Sequence, residues 1–343
     1  MFLSAIEIGL EYRAYLRGWD TPLFGAVRSE HEHAKLLPGA SPEFGPTADF
    51  PFRGPVIKEP KPADAFRIWI ASASHGEDRY LPPDTIFPTL IGDKLKLQGL
   101  SAQVLNASRA GTGINGNLAF LRSEFARWQP DVVVLYQLSM DIASLSRRFL
   151  ARTESEVVNR NKEGTDRASG APGGEPSWAA RLFKQSTVYA LLNANVTTRL
   201  SAAQLLNDDI GLAAKEDFRR TLLEFVDGVR ALGAEPVLCT FSISISPRSP
   251  PPIPRDVALF VYRWNEHLSV RGWLTAVEQL NGVIGDVAED EHILLVDAAA
   301  ALTGREDLFR DPVHFSLEGH SVLADTIASA LSQRVNLGSN RRQ

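Results

Sequence analysis

From residue 66 onward the chain alternates short, almost wholly apolar runs with longer stretches in which apolar residues recur every three or four positions. The short runs, 67–71, 102–106, 132–136, 236–241 and 293–296, predict strands buried on both faces. The longer stretches, 87–97, 117–128, 218–232, 261–287 and a last one at 317–331, carry helical spacing. Strands alternating with amphipathic helices predict one parallel sheet covered on both sides, because each right-handed crossover lays its helix against a face. The expected architecture is α/β, three-layer α/β/α with a five-stranded parallel sheet, over residues 66–335. Ser316 is the expected N-cap of the last helix, and Gly319 together with the Ala-rich spacing permits that helix to pack closely.

The flanks break this rhythm. Residues 1–65 are dense in Pro and Gly over much of their length and predict an irregular N-terminal arm draped over the domain. Residues 153–177 are polar and rich in Glu, Arg, Gly and Pro, which predicts a flexible insertion, either a lid or a loop without a role. The proline-rich run 246–255 predicts extended backbone, suited to a pocket wall or, less well, to a proline-recognition ligand. Residues 336–343 are expected to form a disordered tail.

Composition narrows the function. A chain of 343 residues with 44% hydrophobic content can bury a substantial core. Its 36 basic and 41 acidic residues, net charge −5, leave no basic footprint for a phosphate backbone, so nucleic acid is not an expected partner. Cys239 is the single cysteine and lies in an apolar run, which predicts a buried structural thiol. His31-Glu32-His33 lacks a third or fourth ligand nearby and reads as solvated surface; no metal is expected. The first ten residues are apolar but broken by Glu7 and too short to span a bilayer. The chain as given reads as soluble, or as extracytoplasmic if that stretch is the remnant of a longer anchor.

Candidate chemistry sits at two distant places. The first strand runs into Ser72-Ala73-Ser74-His75-Gly76, a small-residue turn of the kind that presents a serine at the carboxyl edge of a parallel sheet. Ser74 is the candidate nucleophile, and a serine needs a base and an orienting carboxylate. Asp311-Pro312-Val313-His314, just before the last helix, offers both. Its three-residue spacing lets the carboxylate reach one imidazole nitrogen while the other faces a serine; the same spacing also suits a structural Asp capping a turn beside a surface His. A strand-end serine near the start and this pair near the end of one α/β chain favour the catalytic assignment. His75 is open between a pocket-entrance residue, an extra donor and a surface turn residue.

These residues resemble the SGNH (GDSL-like) hydrolase family over roughly residues 52–331. The first block reads Ser72-Ala73-Ser74, keeping the serine without the family's Gly and Asp. Asn106 to Gly111 resembles the second block, with Gly111 in the role of an oxyanion amide beside that of Ser74. Leu138-Ser139-Met140-Asp141 stands at the third block, where Met140 replaces the oxyanion asparagine. The last block is intact at Asp311 and His314, continuing into FSLEGH, and Phe52-Arg53-Gly54-Pro55 is similar to members that carry an amino-terminal arm. The resemblance implies an SGNH/flavodoxin-like fold and a serine esterase with the triad Ser74, His314 and Asp311, working without a cofactor. It further implies a small-molecule or carbohydrate ester substrate, such as an O-acetyl group of the cell envelope.

Because a methionine thioether donates no hydrogen bond, Gln137, Ser139, Asn115 and Asn117 are candidate substitute donors. A non-catalytic glycan-binding protein and an O-acyltransferase using the same triad are the alternatives. The α/β-hydrolase elbow fits less well, since there the serine follows several strands and the acid and base come from separate loops.

Overall fold

A computed structural model describes residues 50–57, 59–150, 206–265 and 267–340, the side chains of 335–340 excepted. Most of the expected arm, including His31-Glu32-His33, the insertion 153–177 and the last three residues lie outside the described residues. The chain divides into two compact units, one of residues 1–30, 142–214 and 250–276, the other of residues 31–141, 215–249 and 277–343.

The second unit holds the sheet. Its strands are β1 (Phe66–Ser72), β2 (Ala102–Asn106), β3 (Val132–Tyr136), β4 (Glu235–Cys239) and β5 (Leu294–Val296), all parallel, in the order β2-β1-β3-β4-β5. That is the flavodoxin-like order, and it reverses direction between β1 and β3. Open sheets of this kind bind ligands outside the carboxyl ends of the strands at that reversal. Among the described residues, the α-helices in chain order are α1 (Ser74–Glu77), α2 (Phe87–Leu97), α3 (Ile114–Trp128), α4 (Ser139–Leu145), α5 (Leu212–Ala231), α6 (Arg255–Trp264), α7 (Val270–Asp290), α8 (Ala298–Leu302) and α9 (Leu317–Asn340).

Strand β3, reading VVVLY, is buried at every position, as a central parallel strand flanked on both faces must be. Adjacent residues of β1 serve opposite faces. Trp69 meets Phe120 of α3 at 5.2 Å between ring centroids. Ile68 is in register with Val104, against which Gly92 of α2 lies. The last stretch of the arm joins the α3 side: Phe52, 1% exposed, packs edge to face on Trp69 at 5.1 Å and on Trp128 at 4.9 Å. In the last helix, Ser316 Oγ accepts from the Gly319 amide at 3.2 Å, and a Cβ on Gly319 would come within 2.0 Å of the Leu308 carbonyl oxygen. That close approach is why a glycine follows the cap here.

Element ends differ from the sequence expectation in three places, two of them for identifiable reasons. Strand β4 stops at Cys239 rather than 241, because the Phe241 backbone turns to the Asn281 side-chain amide, which bonds its N–H at 2.7 Å and its carbonyl at 2.8 Å. The single helix expected over 261–287 is two, α6 and α7. Asn265 leaves helical geometry, and Ser269 Oγ accepts from the Gly272 amide at 2.9 Å to start the second. Helix α9 continues to Asn340, past the expected end at residue 331 and into the stretch expected to be a disordered tail.

The described part of the first unit contains α6 and the start of α7, where Phe260 meets Trp273 at 5.6 Å, and a bridge between Asn207 and Leu268. Among the described residues, no helix is long and apolar enough to cross a membrane.

Candidate active site

Ser74 opens α1 immediately after β1, beside the point where the sheet order reverses. Its Oγ lies 2.9 Å from His314 Nε2, although 240 residues separate the two. His314 Nδ1 lies 2.7 Å from Asp311 Oδ2. Asp311 Oδ1 accepts from the backbone amides of Val313 and His314, each at 2.9 Å, so this carboxylate also closes the turn that carries the histidine. The two readings of Asp-x-x-His are therefore compatible: Asp311 braces the turn with one oxygen and the imidazole with the other.

Protonation follows from the partners. Burial alone would raise the Asp311 pKa, but the His314 imidazole and the two amides outweigh it and hold the carboxyl below its ordinary value. An ionised carboxylate only accepts, so Nδ1 of His314 carries the proton and Nε2 presents its lone pair to the serine hydroxyl. Burial opposes the charged imidazole, yet Asp311 overrides it and raises the His314 pKa. The His314 side chain is 25% exposed, so the pair opens to solvent.

Loops after β1 and β2 are tied together at three places. Asn106 Nδ2 donates to the Gly76 carbonyl at 2.9 Å, Glu77 Oε2 accepts from the Ala110 amide at 2.6 Å, and the Arg109 amide donates to the Ser72 carbonyl at 3.2 Å. Gly76 permits the contact, since a Cβ there would meet Ser108 Oγ at 2.2 Å. The next residue after Ala110 is Gly111, exposed and at φ +77°, a left-handed conformation that suits glycine. Among the described residues, no backbone carbonyl accepts from the Ser74 or the Gly111 amide.

The polar residues after β3 and at the start of α3 divide their work. Asp141 Oδ1 accepts from the Ile114 amide at 3.1 Å and Oδ2 from Gln137 Nε2 at 3.0 Å, which starts α3 three residues earlier than its apolar spacing suggests. Gly113 leaves room for that carboxylate, because a Cβ would stand 2.8 Å from Asp141 Oδ1. Of the four candidate substitute donors, Gln137 is thus engaged by Asp141, and Asn117 Nδ2 donates to the Gly113 carbonyl of its own first turn at 3.1 Å. Asn115 is exposed. Ser139 stands nearer His314: its Oγ is 3.3 Å from Nε2 of His75, whose ring stacks on that of His314 at 5.3 Å and 23°.

His75 is fully buried, not a surface turn residue. It packs against Phe241 at 4.9 Å, and burial lowers its pKa to about 3, so it is neutral. Cys239 is buried too, and burial pushes its thiol pKa up.

Sequence reasoning did not find a second polar cluster. Asp78, which ends α1, is bonded through Oδ2 to the Arg310 guanidinium and to His320 Nε2, the latter at 3.0 Å. Arg53 of the Phe-Arg-Gly-Pro stretch donates to the Leu81 carbonyl at 2.6 Å and the Asp78 carbonyl at 3.3 Å, clamping the chain just after α1. The FSLEGH continuation contained His320 but no sign of its partner.

The chain matches no protein-family model and no curated protein. Among solved structures it is similar to the lipase/acylhydrolase from Enterococcus faecalis, with TM-score 0.45 and 15% identity over 78% of this chain and 96% of that one. It is also similar to a GDSL-like lipase from Bacteroides thetaiotaomicron, with TM-score 0.42 and 12% identity over 78% and 88% of the two chains. An acetyl xylan esterase from Geobacillus stearothermophilus matches with TM-score 0.42 and 14% identity over 77% and 94%. These likenesses are loose, and the fold and the site stand on the chain's own strands and hydrogen bonds.

Proposed function

We propose that this protein is a serine esterase of the SGNH (GDSL-like) kind, acting on a carboxylic ester with a short acyl group. The observation that carries the reading is the continuous chain Ser74 Oγ, His314 Nε2, His314 Nδ1, Asp311 Oδ2, with links of 2.9 and 2.7 Å. His314 takes the Ser74 proton as the serine oxygen attacks the ester carbonyl, and Asp311 stabilises the imidazolium. The amides of Ser74 and Gly111 receive the oxyanion. When the tetrahedral intermediate collapses, His314 Nε2 gives its proton to the departing alcohol, leaving an acyl group on Ser74. The same nitrogen then takes a proton from water, whose oxygen attacks the acyl carbonyl; collapse returns the serine and releases the acid.

The proposed substrate is an O-acetyl or similar short ester on a carbohydrate or cell-envelope component, following from the resemblance to arm-bearing members. Met140 favours a second reading. Loss of one oxyanion donor costs about 10²–10³ in turnover, roughly 2.7–4 kcal/mol, and such a site serves a glycan binder or an O-acyltransferase as well as a slow hydrolase. Acetylated sugars and nitrophenyl acetate, incubated with and without an acceptor alcohol, separate these outcomes. Release of acid supports hydrolysis, transfer to the acceptor indicates an acyltransferase, and binding without turnover rejects both.

A further inference from the structure

The esterase reading uses Ser74, His314 and Asp311 and leaves a charged pair beside them without a task. Asp78 lies four residues after Ser74 with its side chain 1% exposed, and the guanidinium bonded to it belongs to Arg310, the residue before Asp311. Arg310 is itself fixed to the turn of the histidine: Nε donates to the Phe315 carbonyl at 2.7 Å and its amide to the His314 carbonyl at 2.8 Å. The second partner of Asp78 is neutral. His320 Nδ1 accepts from the Phe87 amide at 3.2 Å, so its proton sits on Nε2, facing Asp78. The buried Asp78 carboxylate is therefore matched by the Arg310 guanidinium on the histidine turn; Arg53 is the other cation near it, and Glu77 is a second buried carboxylate on the serine turn.

Resting on the esterase reading, we propose that Asp78 and Arg310 are a positioning pair. Their bond holds the turn of His314 against the turn of Ser74, and their charges tune the basicity of His314 in opposite directions. Asp78 favours the imidazolium and Arg310 disfavours it, so each member of the pair shifts where in pH the base becomes available.

The surroundings of His314 leave few other charges to confuse the effect. Asp311 and Arg310 face it from its own turn, His75 and Asp78 from α1 and its end, and His320 from α9. Both neighbouring histidines have lowered pKa values, chiefly through burial, and are neutral around pH 7. Asp78 is ionised there: burial would raise its pKa, but His320 and Arg310 bring it down to about 2. On His314, burial and Asp311 are the largest influences, with Asp78 raising the pKa and Arg310 lowering it.

The test is the pH dependence of kcat/KM on nitrophenyl acetate for the wild type, Asp78→Asn and Arg310→Gln, with Ser74→Ala as the blank and a thermal midpoint measured for each. The acid limb of that profile reports the free enzyme's base. Asp78→Asn keeps an acceptor for His320 and is expected to move the limb to lower pH; Arg310→Gln is expected to move it to higher pH, each by about half a unit or more. Loss of packing alone lowers the height of the profile without moving its limb in opposite directions. Limbs that stay in place, or that move the same way in both variants, overturn the proposal. Should Asp78→Asn fail to fold, Arg310→Lys against Arg310→Gln decides: the lysine keeps the charge and should keep the wild-type limb, and two identical profiles overturn the proposal. If wild type turns over, Ser74→Ala does not, and the limbs are fixed, the pair assignment fails while the esterase reading stands. If wild type shows no turnover that depends on Ser74, both fall.

Discussion

Replacing Asp311 with asparagine exchanges one oxygen for an NH₂ group and tests the whole proton path. The side chain has two occupied faces: Oδ1 takes the amides of Val313 and His314, each at 2.9 Å, and Oδ2 takes Nδ1 of His314 at 2.7 Å. An asparagine can present an acceptor to only one of them. Its oxygen goes to the two amides, which turns its NH₂ toward Nδ1 and forces the imidazole proton onto Nε2, opposite Ser74. The histidine then faces the serine as a donor and cannot take its proton. The opposite orientation keeps the productive tautomer but leaves two amide donors without an acceptor, at about 1–3 kcal/mol each, or roughly 2–6 kcal/mol together. At 1.36 kcal/mol per tenfold, the productive form is suppressed by about 30-fold to 10⁴-fold. The expected outcome for Asp311→Asn is a fall in kcat of that size on nitrophenyl acetate, with the thermal midpoint close to wild type because the turn keeps its hydrogen bonds. A folded Asp311→Asn variant within threefold of wild type would falsify the assignment of Asp311 as the orienting acid.

Other outcomes follow from the same geometry. Because Asp311 raises the His314 pKa and the base must be deprotonated to act, kcat/KM should rise with pH through a midpoint above the ordinary histidine value of 6.5; a midpoint below it contradicts the stated balance between burial and Asp311. Gly76→Ala would place a Cβ 2.2 Å from Ser108 Oγ and 3.1 Å from Ser72 Cβ, so it should lower stability by about 1–3 kcal/mol in chemical denaturation; no change would mean that the two loops are not packed as described. Phe52→Ala removes a ring held between Trp69 and Trp128 and should cost about 3–5 kcal/mol by the same assay, whereas a loss under ~1 kcal/mol would show that the end of the arm is not part of the core.

How far the sequence could be read depended on whether a feature is local. The run Val132–Tyr136 is apolar at every position, and a strand buried on both faces is the ordinary result of such a run. Helix Phe87–Leu97 was equally legible, with a proline at its start and helical apolar spacing to its end. The division between α6 and α7 was harder, because apolar residues keep their spacing across residues 265–269; Ser269, a good N-cap, was the available signal. The end of β4 was invisible, since Thr240 and Phe241 look as strand-like as Cys239 and only the arrival of Asn281 changes the pairing. Ser74 and the Asp311-x-x-His314 spacing stood out because each has a local pattern, a strand end and a three-residue interval. Asp78 and Arg310 had none. Their bond joins positions 232 residues apart, and no spacing rule connects a carboxylate after one helix to a guanidinium at the far end of the chain. Glu77 was hidden for the same reason, as its partner is a backbone amide, which carries no residue identity.

The most direct measurement is covalent. A fluorophosphonate reagent reacts with a serine hydroxyl only where a base removes its proton and a pocket accepts the charged oxygen. Incubation with the wild type followed by peptide mass mapping is expected to give one modification, on Ser74, that disappears in His314→Ala and blocks ester turnover in proportion to labelling. A label on another residue that accounts for the loss of turnover, or undiminished turnover in Ser74→Ala, would contradict the account.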